Sequence, residues 1–386
     1  MRRSLVAMTV AVVAVGLVPG VAEAAGRAYS YVELTPLPGD QGSMATDVNA
    51  SGVVVGYSVG FTERTARRAV RWDGNSTPVD LGTFGGERSR ANAVNDAGVV
   101  VGEAQEYSGL WRAARWDGPV PRDLGVLPED NSSRAVAVNR AGVVVGASGN
   151  LEIGWRNAVR WDRDGQISRL AVPAGYRGVA ADGITDGGIV WGRATPQDEI
   201  GTRAVLWAPD GAVRVLSTVL EGSVDAISDV NESGIAVGSS DGFAVRWNLD
   251  GTITSLGAPD DTTWSNGAAA VTENQNIAGT YIRGIGDINA VRWTPQGTPQ
   301  VLATQAGGGN SFATDVDELG TSVGFQNLSP RIRAIVWDPA GNATTLPLSP
   351  AASGATKVYA RQLTANGFIM GSITYPGVVT RGVLWR

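Results

Sequence analysis

The sequence predicts an all-β protein built from eight tandem copies of one unit, and three observations predict it. Glycine accounts for 52 of the 386 residues, about twice the usual share of roughly 7%, and such glycine without a collagen period is typical of many tight turns. One glycine and one tryptophan recur at intervals of 40 to 48 residues. No stretch has helical periodicity, so each unit is expected to contain only strands and turns.

The repeat is defined by one glycine and one tryptophan in each unit. The glycines are Gly56, Gly102, Gly146, Gly192, Gly238, Gly279, Gly324 and Gly371, and the tryptophans are Trp72, Trp116, Trp161, Trp207, Trp247, Trp293, Trp337 and Trp385. Eight units of this size fill the chain that follows the N-terminal segment, which leaves no room for a second domain. We therefore expect one domain over residues 25–386.

Each unit is expected to contain four short strands, as the first unit illustrates. Strand one, Ala45–Asn49, ends in an Asn-x-x-Gly turn, whose residues suit a tight hairpin. Strand two is the apolar run Val53–Gly56, strand three is Arg68–Trp72, and strand four is Val79–Phe84. Four strands in about 45 residues is the period of one blade of a β-propeller. The sequence thus predicts an eight-bladed β-propeller of four-stranded antiparallel blades.

The two ends of the chain indicate how the propeller closes. The last unit stops at Trp385, after its third strand, while an unassigned strand over Tyr31–Gly39 matches the fourth strand of the other units. Joining the two would complete the last blade and remove an exposed sheet edge, which otherwise invites aggregation. We expect the N-terminal strand to join the C-terminal blade.

The repeat resembles that of a bacterial extracellular repeat family, the HAF repeat family. The resemblance is carried by Asp80–Gly86, by Ser89–Asn95 and by Gly98–Gly102, and it extends over nearly all of residues 40–386. The sequence departs at the motif that names the family, because Arg68-Ala69-Val70 replaces His-Ala-Phe. The resemblance implies export and a propeller-like fold, and the family has no assigned activity that could be transferred.

The N-terminal segment has the features of a secretory signal peptide. Arg2 and Arg3 precede an apolar run from Leu5 to Val18, and Ala22-Glu23-Ala24 forms an A-x-A cleavage motif. We expect cleavage after Ala24, so that residues 1–24 are removed and the protein is secreted. An uncleaved anchor is the alternative, although the run is shorter than the ~20 residues that span a membrane. No further membrane span is expected.

Three absences restrict the chemistry. The chain has no cysteine and no histidine, and its single lysine is Lys357. These absences exclude disulfides, thiolate metal sites and Ser-His or Cys-His catalysis, and no phosphate-binding GxxxxGK loop occurs. The net charge of −6 argues against nucleic acid as a partner. We expect no cofactor, no metal and a monomer.

The loops that differ between units are the expected place for function. The strand two to strand three and strand four to strand one connections lie on the same face, and variable loops on a constant scaffold commonly carry binding sites. Aromatic rings and carboxylates in these loops would suit a glycan or a peptide. The candidate ligand-binding residues are Tyr107, Trp111, Trp155, Tyr176, Trp264, Tyr281, Glu129, Asp130, Asp260 and Asp261. For each ring, packing between blades is the alternative.

The sequence leaves two functions open. One is a non-catalytic extracellular binding or scaffolding propeller that recognises a polysaccharide or a protein through its variable-loop face. The other is a carboxylate-dependent glycoside hydrolase or lyase on the same face, which would need two acids at a suitable separation. Asp47, Asp229 and Asp315 recur at one position of strand one; we expect them to pair with arginines such as Arg71 or Arg246, with a cation as the alternative.

Overall fold

The described chain is built almost entirely of β-strands. A computed structural model describes residues 22–24, 27–60, 67–150, 154–198, 201–220, 224–248, 250–260, 263–377 and 379–386. Within these residues there is one short 3₁₀ turn, Pro350–Ala352, and no α-helix. Residues 1–21 of the predicted signal segment and candidate residue Asp261 lie outside them. No described helix has the length and apolarity to cross a membrane.

The strands follow the predicted repeat, and we number the units 1 to 8 along the chain. Outside the units, β1 is Ala22–Ala24, β2 is Arg27–Tyr29 and β3 is Tyr31–Leu34. Units 1 to 4 comprise β4 (Gly42–Val48), β5 (Val53–Val59), β6 (Arg67–Asp73) and β7 (Val79–Asp80); β8 (Gly85–Val94), β9 (Val100–Glu106), β10 (Trp111–Trp116) and β11 (Arg122–Asp123); β12 (Ser132–Val138), β13 (Val144–Asn150), β14 (Gly154–Trp161) and β15 (Ile167–Arg169); and β16 (Tyr176–Ile184), β17 (Val190–Pro196), β18 (Arg203–Trp207) and β19 (Val213–Val215). Units 5 to 8 comprise β20 (Asp225–Val230), β21 (Ala236–Ser240), β22 (Phe243–Trp247) and β23 (Ile253–Ser255); β24 (Thr263–Val271), β25 (Ile277–Arg283), β26 (Ile288–Trp293) and β27 (Pro299–Val301); β28 (Ser311–Val316), β29 (Ser322–Leu328), β30 (Arg331–Trp337) and β31 (Ala343–Thr345); and β32 (Lys357–Leu363), β33 (Ile369–Thr374) and β34 (Thr380–Trp385).

Consecutive strands pair antiparallel within each unit. Units 1 to 6 each form a separate four-stranded sheet, whereas units 7 and 8 share one mixed sheet through a single parallel pair, Ile332 with Lys357. The strand β3 pairs antiparallel with β34, with Tyr31 opposite Trp385. The predicted all-β fold of four-stranded antiparallel sheets is therefore confirmed in its class and in the composition of its sheets.

A tryptophan and a leucine anchor the core between successive sheets. All eight repeat tryptophans are fully buried. Six donate their indole N–H to the carbonyl of the residue after the fourth-strand leucine, as Trp207 does to Ala171 at 2.8 Å, and Trp116 donates to the carbonyl of Leu81 itself. Buried aromatic rings supply much apolar area, and the indole N–H normally finds an acceptor. The leucines are Leu34, Leu81, Leu124, Leu170, Leu216, Leu256, Leu302 and Leu346, and all are buried.

Each first strand contains a β-bulge, and the repeat glycine makes room for it. The pairing register between strands one and two shifts at the same position in all eight units. In unit 3 the shift lies between Ala135 and Ala137. A Cβ placed on Gly146 would lie 2.0 Å from the carbonyl oxygen of Arg134, and the other seven glycines meet the equivalent oxygen at 1.8–2.1 Å. The glycine recurs because a bulged strand leaves no space for a side chain opposite it.

Polar side chains connect each unit to the next. The hydroxyl of Ser89 in unit 2 accepts a hydrogen bond from the amide of Ala69 in unit 1 at 2.9 Å, and the amide of Asn49 donates to the carbonyl of Asn95 at 3.0 Å. The carboxylate of Asp47 accepts from Val48 in its own unit and from Val94 in the next. Each bond satisfies a backbone group that would otherwise be buried without a partner.

The predicted arginine partners of the recurring aspartates were wrong. Asp229 and Asp315, like Asp47, accept from backbone amides of two neighbouring units. Arg71 instead pairs with Asp73 at 2.6 Å, and Arg246 donates to Gln275 and to the carbonyl of Pro295. Burial raises the pKa of Asp47 and of Asp229 to about 6, and that of Asp315 to about 7. Among described residues, no group of three or more acids is placed to hold a metal ion.

Strand lengths differ from the prediction in two places. The fourth strand of unit 1 is only Val79–Asp80, although the amide of Leu81 still donates to the carbonyl of Ala69. The second strands run beyond the repeat glycine, to Val59 in unit 1 and Glu106 in unit 2, because their continuation pairs with an equally long third strand. Part of the predicted variable loops is therefore sheet.

Candidate functional site

The bulges direct one side chain per unit out of the regular pairing. The bulged residues are Thr46, Asn92, Val136, Asp182, Ser228, Ala269, Thr314 and Arg361. Five of them, from units 1, 2, 3, 4 and 8, line one cavity of about 570 Å³. A bulge re-aims a side chain and is frequent beside functional sites. We call this space the inner cavity; its aromatic and charged lining residues are Tyr57, Arg90, Glu103, Arg134, Asp182 and Arg361.

The inner cavity carries more positive than negative charge. Arg90, Arg134 and Arg361 line it together with only two carboxyl groups, those of Glu103 and Asp182. Arg90 and Arg134 occupy equivalent positions, each directly before the alanine that faces the repeat glycine. Three guanidinium cations against two carboxyl groups favour an anionic ligand in the cavity.

Both carboxyl groups of the inner cavity are affected by burial. Burial raises the pKa of Glu103, and the guanidinium groups of Arg134 and Arg90 oppose that rise. Burial also raises the pKa of Asp182, against the effect of Arg193 and Arg134, and Arg193 Nη2 lies 3.6 Å from Asp182 Oδ1. Arg134 thus acts on both acids, which places the two carboxyl groups in one electrostatic environment.

Two arginines of the inner cavity, Arg90 and Arg361, contact tyrosine rings rather than carboxylates. The guanidinium of Arg90 lies 5.2 Å from the ring centroid of Tyr57, and that of Arg67 lies 5.3 Å from the same centroid. Arg361 lies 5.5 Å from the ring centroid of Tyr359. The Nε of Arg90 is buried and has no hydrogen-bond partner among described residues. A cation–π contact fixes the position of a guanidinium and leaves its N–H donors available to a ligand.

These groups determine which kind of ligand the cavity can bind. Guanidinium donors bind carboxylate, sulfate or phosphate oxygens, often through two parallel hydrogen bonds. Thr46 and Asn92 already donate to the carbonyls of Ala91 and Ala135 in the next unit, so they offer a ligand only their oxygen atoms, which accept hydrogen bonds from hydroxyl groups. The ring of Tyr57 is half-buried and contacts the guanidinium groups of Arg67 and Arg90. The cavity is therefore suited to a polar, negatively charged ligand.

The candidate aromatic residues lie apart from the inner cavity. Tyr107 is 94% exposed in the turn after β9, and Trp111 is half-buried at the start of β10. Tyr176 packs against the core between units 3 and 4. Tyr281 is only 3% exposed, because β25 continues through its position instead of ending in a loop.

The remaining candidates also lie elsewhere. Trp155 is in β14 and Trp264 in β24, and only their backbone is described. The three described acidic candidates, Glu129, Asp130 and Asp260, form polar contacts with nearby residues. Glu129 pairs with Arg169, Asp130 accepts from Asn157 at 3.0 Å, and Asp260 lies 3.4 Å from Arg283. None of the seven candidates whose side chains are described lines the inner cavity; the role of all ten in binding stays a prediction.

Sequence reasoning missed the inner cavity although a signal existed. Once the units are aligned on the repeat glycine, the residue after the paired alanine changes from Thr46 to Asn92, Val136 and Asp182, while its neighbours stay small. A variable position inside a constant strand indicates that the scaffold does not need it. The bulge that exposes this side chain is not marked in the sequence by any particular residue type.

Comparison with known proteins supports the fold. No protein-family model matches the chain, and a search of curated proteins gives no match. Among solved structures, puromycin hydrolase superposes with a TM-score of 0.51 at 17% identity, covering 89% of this chain and 62% of that one. Dipeptidyl peptidase 4 of Porphyromonas gingivalis gives 0.50 at 10% identity, over 89% and 57%. Virginiamycin B lyase of Staphylococcus aureus gives 0.46 at 12% identity, over 92% and 99%.

The observed sheets, together with the likeness to puromycin hydrolase and to the peptidase, define a protein with a β-propeller fold. The chain spans somewhat less than two thirds of puromycin hydrolase and of the peptidase. At such low identity the likeness concerns the fold alone, because one fold supports many unrelated functions. Function must therefore be argued from the inner cavity.

Proposed function

We propose that the eight units form one closed ring and that β3 is the fourth strand of unit 8. Two contacts between units 8 and 1 support this, because each has a counterpart between successive units. The amide of Gly382 donates to the hydroxyl of Ser43 at 3.1 Å, as Ala69 does to Ser89. Asn366 donates to the carbonyl of Ala50 at 2.8 Å. The strand pairing of β3 with β34 adds a full set of ladder bonds and removes a free edge.

We propose that the protein is a non-catalytic binding module that holds an acidic carbohydrate in the inner cavity. The observation that carries the proposal is the placement of Arg90, whose guanidinium lies 5.2 Å from the ring centroid of Tyr57 and lines the cavity together with Arg134 and Arg361. A uronate carboxylate would accept hydrogen bonds from these guanidinium groups. Sugar hydroxyls would donate to the side-chain oxygens of Asn92 and Asp182.

The shape of the site favours a carbohydrate over a folded protein. A stable protein interface buries about 800 Å² on each partner, whereas the inner cavity is a recess of about 570 Å³, which is within the usual range for small-ligand sites. The recess lies among the inner strands and below the loop ends, so a broad protein surface would not reach the arginines.

Export is part of the proposal. A carbohydrate-binding propeller that is secreted meets polysaccharides outside the cell, and the segment with Arg2, Arg3 and the Ala22-Glu23-Ala24 motif supports secretion. If export occurs as proposed, the protein recovered from culture medium begins at Ala25. Recovery of the full-length chain only from cell membranes would contradict it.

Calorimetric titration tests the binding function. The mature protein is titrated with digalacturonate and with neutral galactobiose. We expect digalacturonate to bind, galactobiose to bind at least tenfold more weakly, and the Arg90→Gln variant to lose about tenfold or more in affinity, the usual effect of removing a hydrogen bond to a charged group. Arg163→Gln is the matched control, since Arg163 lies in an exposed turn beside Asp164.

Two results would reject the binding proposal. One is equal affinity of the acidic and the neutral disaccharide, since the arginines would then contribute nothing. The other is equal loss in the Arg90→Gln and Arg163→Gln variants, because a general effect of net charge would then explain the binding. Added salt should weaken binding of digalacturonate, since it screens charges at partly exposed sites.

A carboxylate-dependent enzyme is the second candidate, and the raised pKa of Glu103 favours it. A carboxyl group whose pKa is raised by burial is suited to protonate a glycosidic oxygen as a general acid, and Asp182 in the same cavity is the second acid that such a reaction needs. Incubation with polygalacturonate distinguishes the two functions. New reducing ends or unsaturated products that disappear in Glu103→Gln would establish the enzyme; an unchanged polymer leaves the binding module.

A further inference from the structure

Two further cavities adjoin the inner cavity on opposite sides. A groove of about 310 Å³ lies at the junction of units 1 and 8, and it shares Met44 and Tyr57 with the inner cavity. A second space of about 470 Å³ lies on unit 4 and includes Ala180 and Arg193. We call these the seam groove and the unit-4 cavity.

The seam groove shares two lining residues with the inner cavity, and the unit-4 cavity adjoins the inner cavity through consecutive residues of β16. Tyr57 separates the seam groove from the inner cavity, with Arg67 on the groove side of its ring and Arg90 in the inner cavity. The ion pair of Asp182 and Arg193 joins the inner cavity to the unit-4 cavity. Together they form one trough along the inner strands from unit 8 to unit 4.

Positive charge continues along the whole trough. Arg67 lies in the seam groove, Arg90, Arg134 and Arg361 in the inner cavity, and Arg177 and Arg193 in the unit-4 cavity. Glu103 and Asp182 are the only acids among these lining residues. A single small anion would use only the central arginines. The charge at both ends requires a ligand with several negative groups.

We propose that the ligand is an extended acidic polysaccharide, with an internal segment of the polymer lying across all three spaces. This inference rests on the proposed function and adds the length and the path of the ligand. Glycines widen the ends of the trough, since Gly377 lines the seam groove and Gly178 the unit-4 cavity, and no atom lies within 4 Å of a Cβ added to either. Residues without side chains let a chain pass close to the backbone.

A single-stranded nucleic acid is the rival polyanion. It would need aromatic rings at intervals for base stacking, and Tyr57 is the only aromatic residue among the lining residues of the three spaces. The net charge of the chain is −6, which opposes long-range attraction of a nucleic acid. A sugar polymer requires fewer rings, so the observations favour it.

Titration with oligomers of increasing length tests whether the ligand lies across all three spaces. Mature wild-type protein is titrated with galacturonate oligomers from the dimer to long chains, and oligothymidylate is the competing probe. We expect affinity to rise about tenfold or more from the dimer to the longer oligomers. The Arg177→Gln variant should lose about tenfold in affinity for long oligomers while binding the dimer like wild type, because Arg177 lines only the unit-4 cavity. Arg90→Gln should weaken both, and Arg163→Gln neither.

The outcomes separate this inference from the proposed function. Equal affinity for dimer and polymer, with no effect of Arg177→Gln, would overturn the extended path and leave the inner cavity as the binding site. Absence of binding to any galacturonate would overturn both. Tighter binding of oligothymidylate than of polygalacturonate would replace the polysaccharide with a nucleic acid. Retained thermal unfolding temperature in each variant shows that the loss is not due to misfolding.

Discussion

Replacing one repeat glycine tests the connection between the bulge, the fold and the site. In Gly146→Ala the new Cβ would lie 2.0 Å from the carbonyl oxygen of Arg134 and 3.0 Å from the Cα of Ala135. Close carbon–oxygen contacts in sheets are about 3.3 Å, so strands β12 and β13 would have to separate by about 1 Å. The colliding atoms belong to the backbone, which cannot move aside as a flexible side chain does.

The magnitude follows from this geometry. Inserting a methyl group into a closely packed site costs about 1–3 kcal/mol, and each weakened ladder hydrogen bond adds about 1 kcal/mol. A gain of about 0.4–1 kcal/mol from the less flexible unfolded chain offsets part of this. We expect Gly146→Ala to lower the free energy of unfolding by about 3 kcal/mol. Because the strain falls on Arg134, digalacturonate binding should weaken as well.

Urea unfolding followed by tryptophan fluorescence measures this loss, since the repeat tryptophans are fully buried. Gly118→Ala is the matched control, because no atom lies within 4 Å of its added Cβ. Its free energy of unfolding should stay within a few tenths of a kcal/mol of wild type. Similar midpoints for the two variants would refute the reasoning. The bulge would then tolerate a side chain, and the recurrence of the glycine would need another cause.

Two further predictions concern buried polar groups. The pKa of Asp315 is raised to about 7 from an ordinary 3.8. Between these two values the folded protein holds a proton that the unfolded chain releases. The stability from this group is therefore complete below pH 3.8 and is lost as the pH rises to about 7. Urea midpoints should therefore show that Asp315→Asn costs more at pH 4.5 than at pH 8, by at most about 4 kcal/mol; a pH-independent cost would contradict the assignment. The indole N–H of Trp161 is buried without a partner in the described structure, whereas that of Trp207 donates at 2.8 Å. Thermal denaturation should show Trp161→Phe to be less destabilising than Trp207→Phe by about 1 kcal/mol, and the reverse order would mean that Trp161 has an acceptor.

The sequence predicted the strands well because the repeat presents the same physical demand eight times. Apolar runs, Asn-x-x-Gly turns and one tryptophan per unit each have a local cause, so averaging over units removes the ambiguity of any single one. The partners of Asp47 could not be predicted in this way. Its carboxylate accepts from Val94 of the next unit, and that contact depends on how two sheets approach each other, whereas Arg71 is already engaged by Asp73, two residues away.

The candidate site was harder to predict because it lies on strands rather than in loops. The expectation that variable loops carry function directed attention to residues such as Tyr281, which the extension of β25 places in the core. Arg90 and Arg134 lie in regular register just before the bulges, and Arg90 is directly opposite Glu103. That neighbour depends on the pairing of β8 with β9, which the sequence of either strand alone does not specify.

The bulge also explains how one scaffold can carry a specific site. Contacts between units depend on the backbone and on recurring small or polar residues, such as Ser89 and Asn49, which bond to amides and carbonyls of the neighbouring unit. Some bulged residues share in these contacts, since Thr46 donates to the carbonyl of Ala91 and Asn92 to that of Ala135, each in the next unit. In unit 8 the bulged Arg361 lies over the ring of Tyr359 instead. Substitution at a bulged position such as Arg361 can therefore change what the inner cavity binds while the recurring contacts between the units remain.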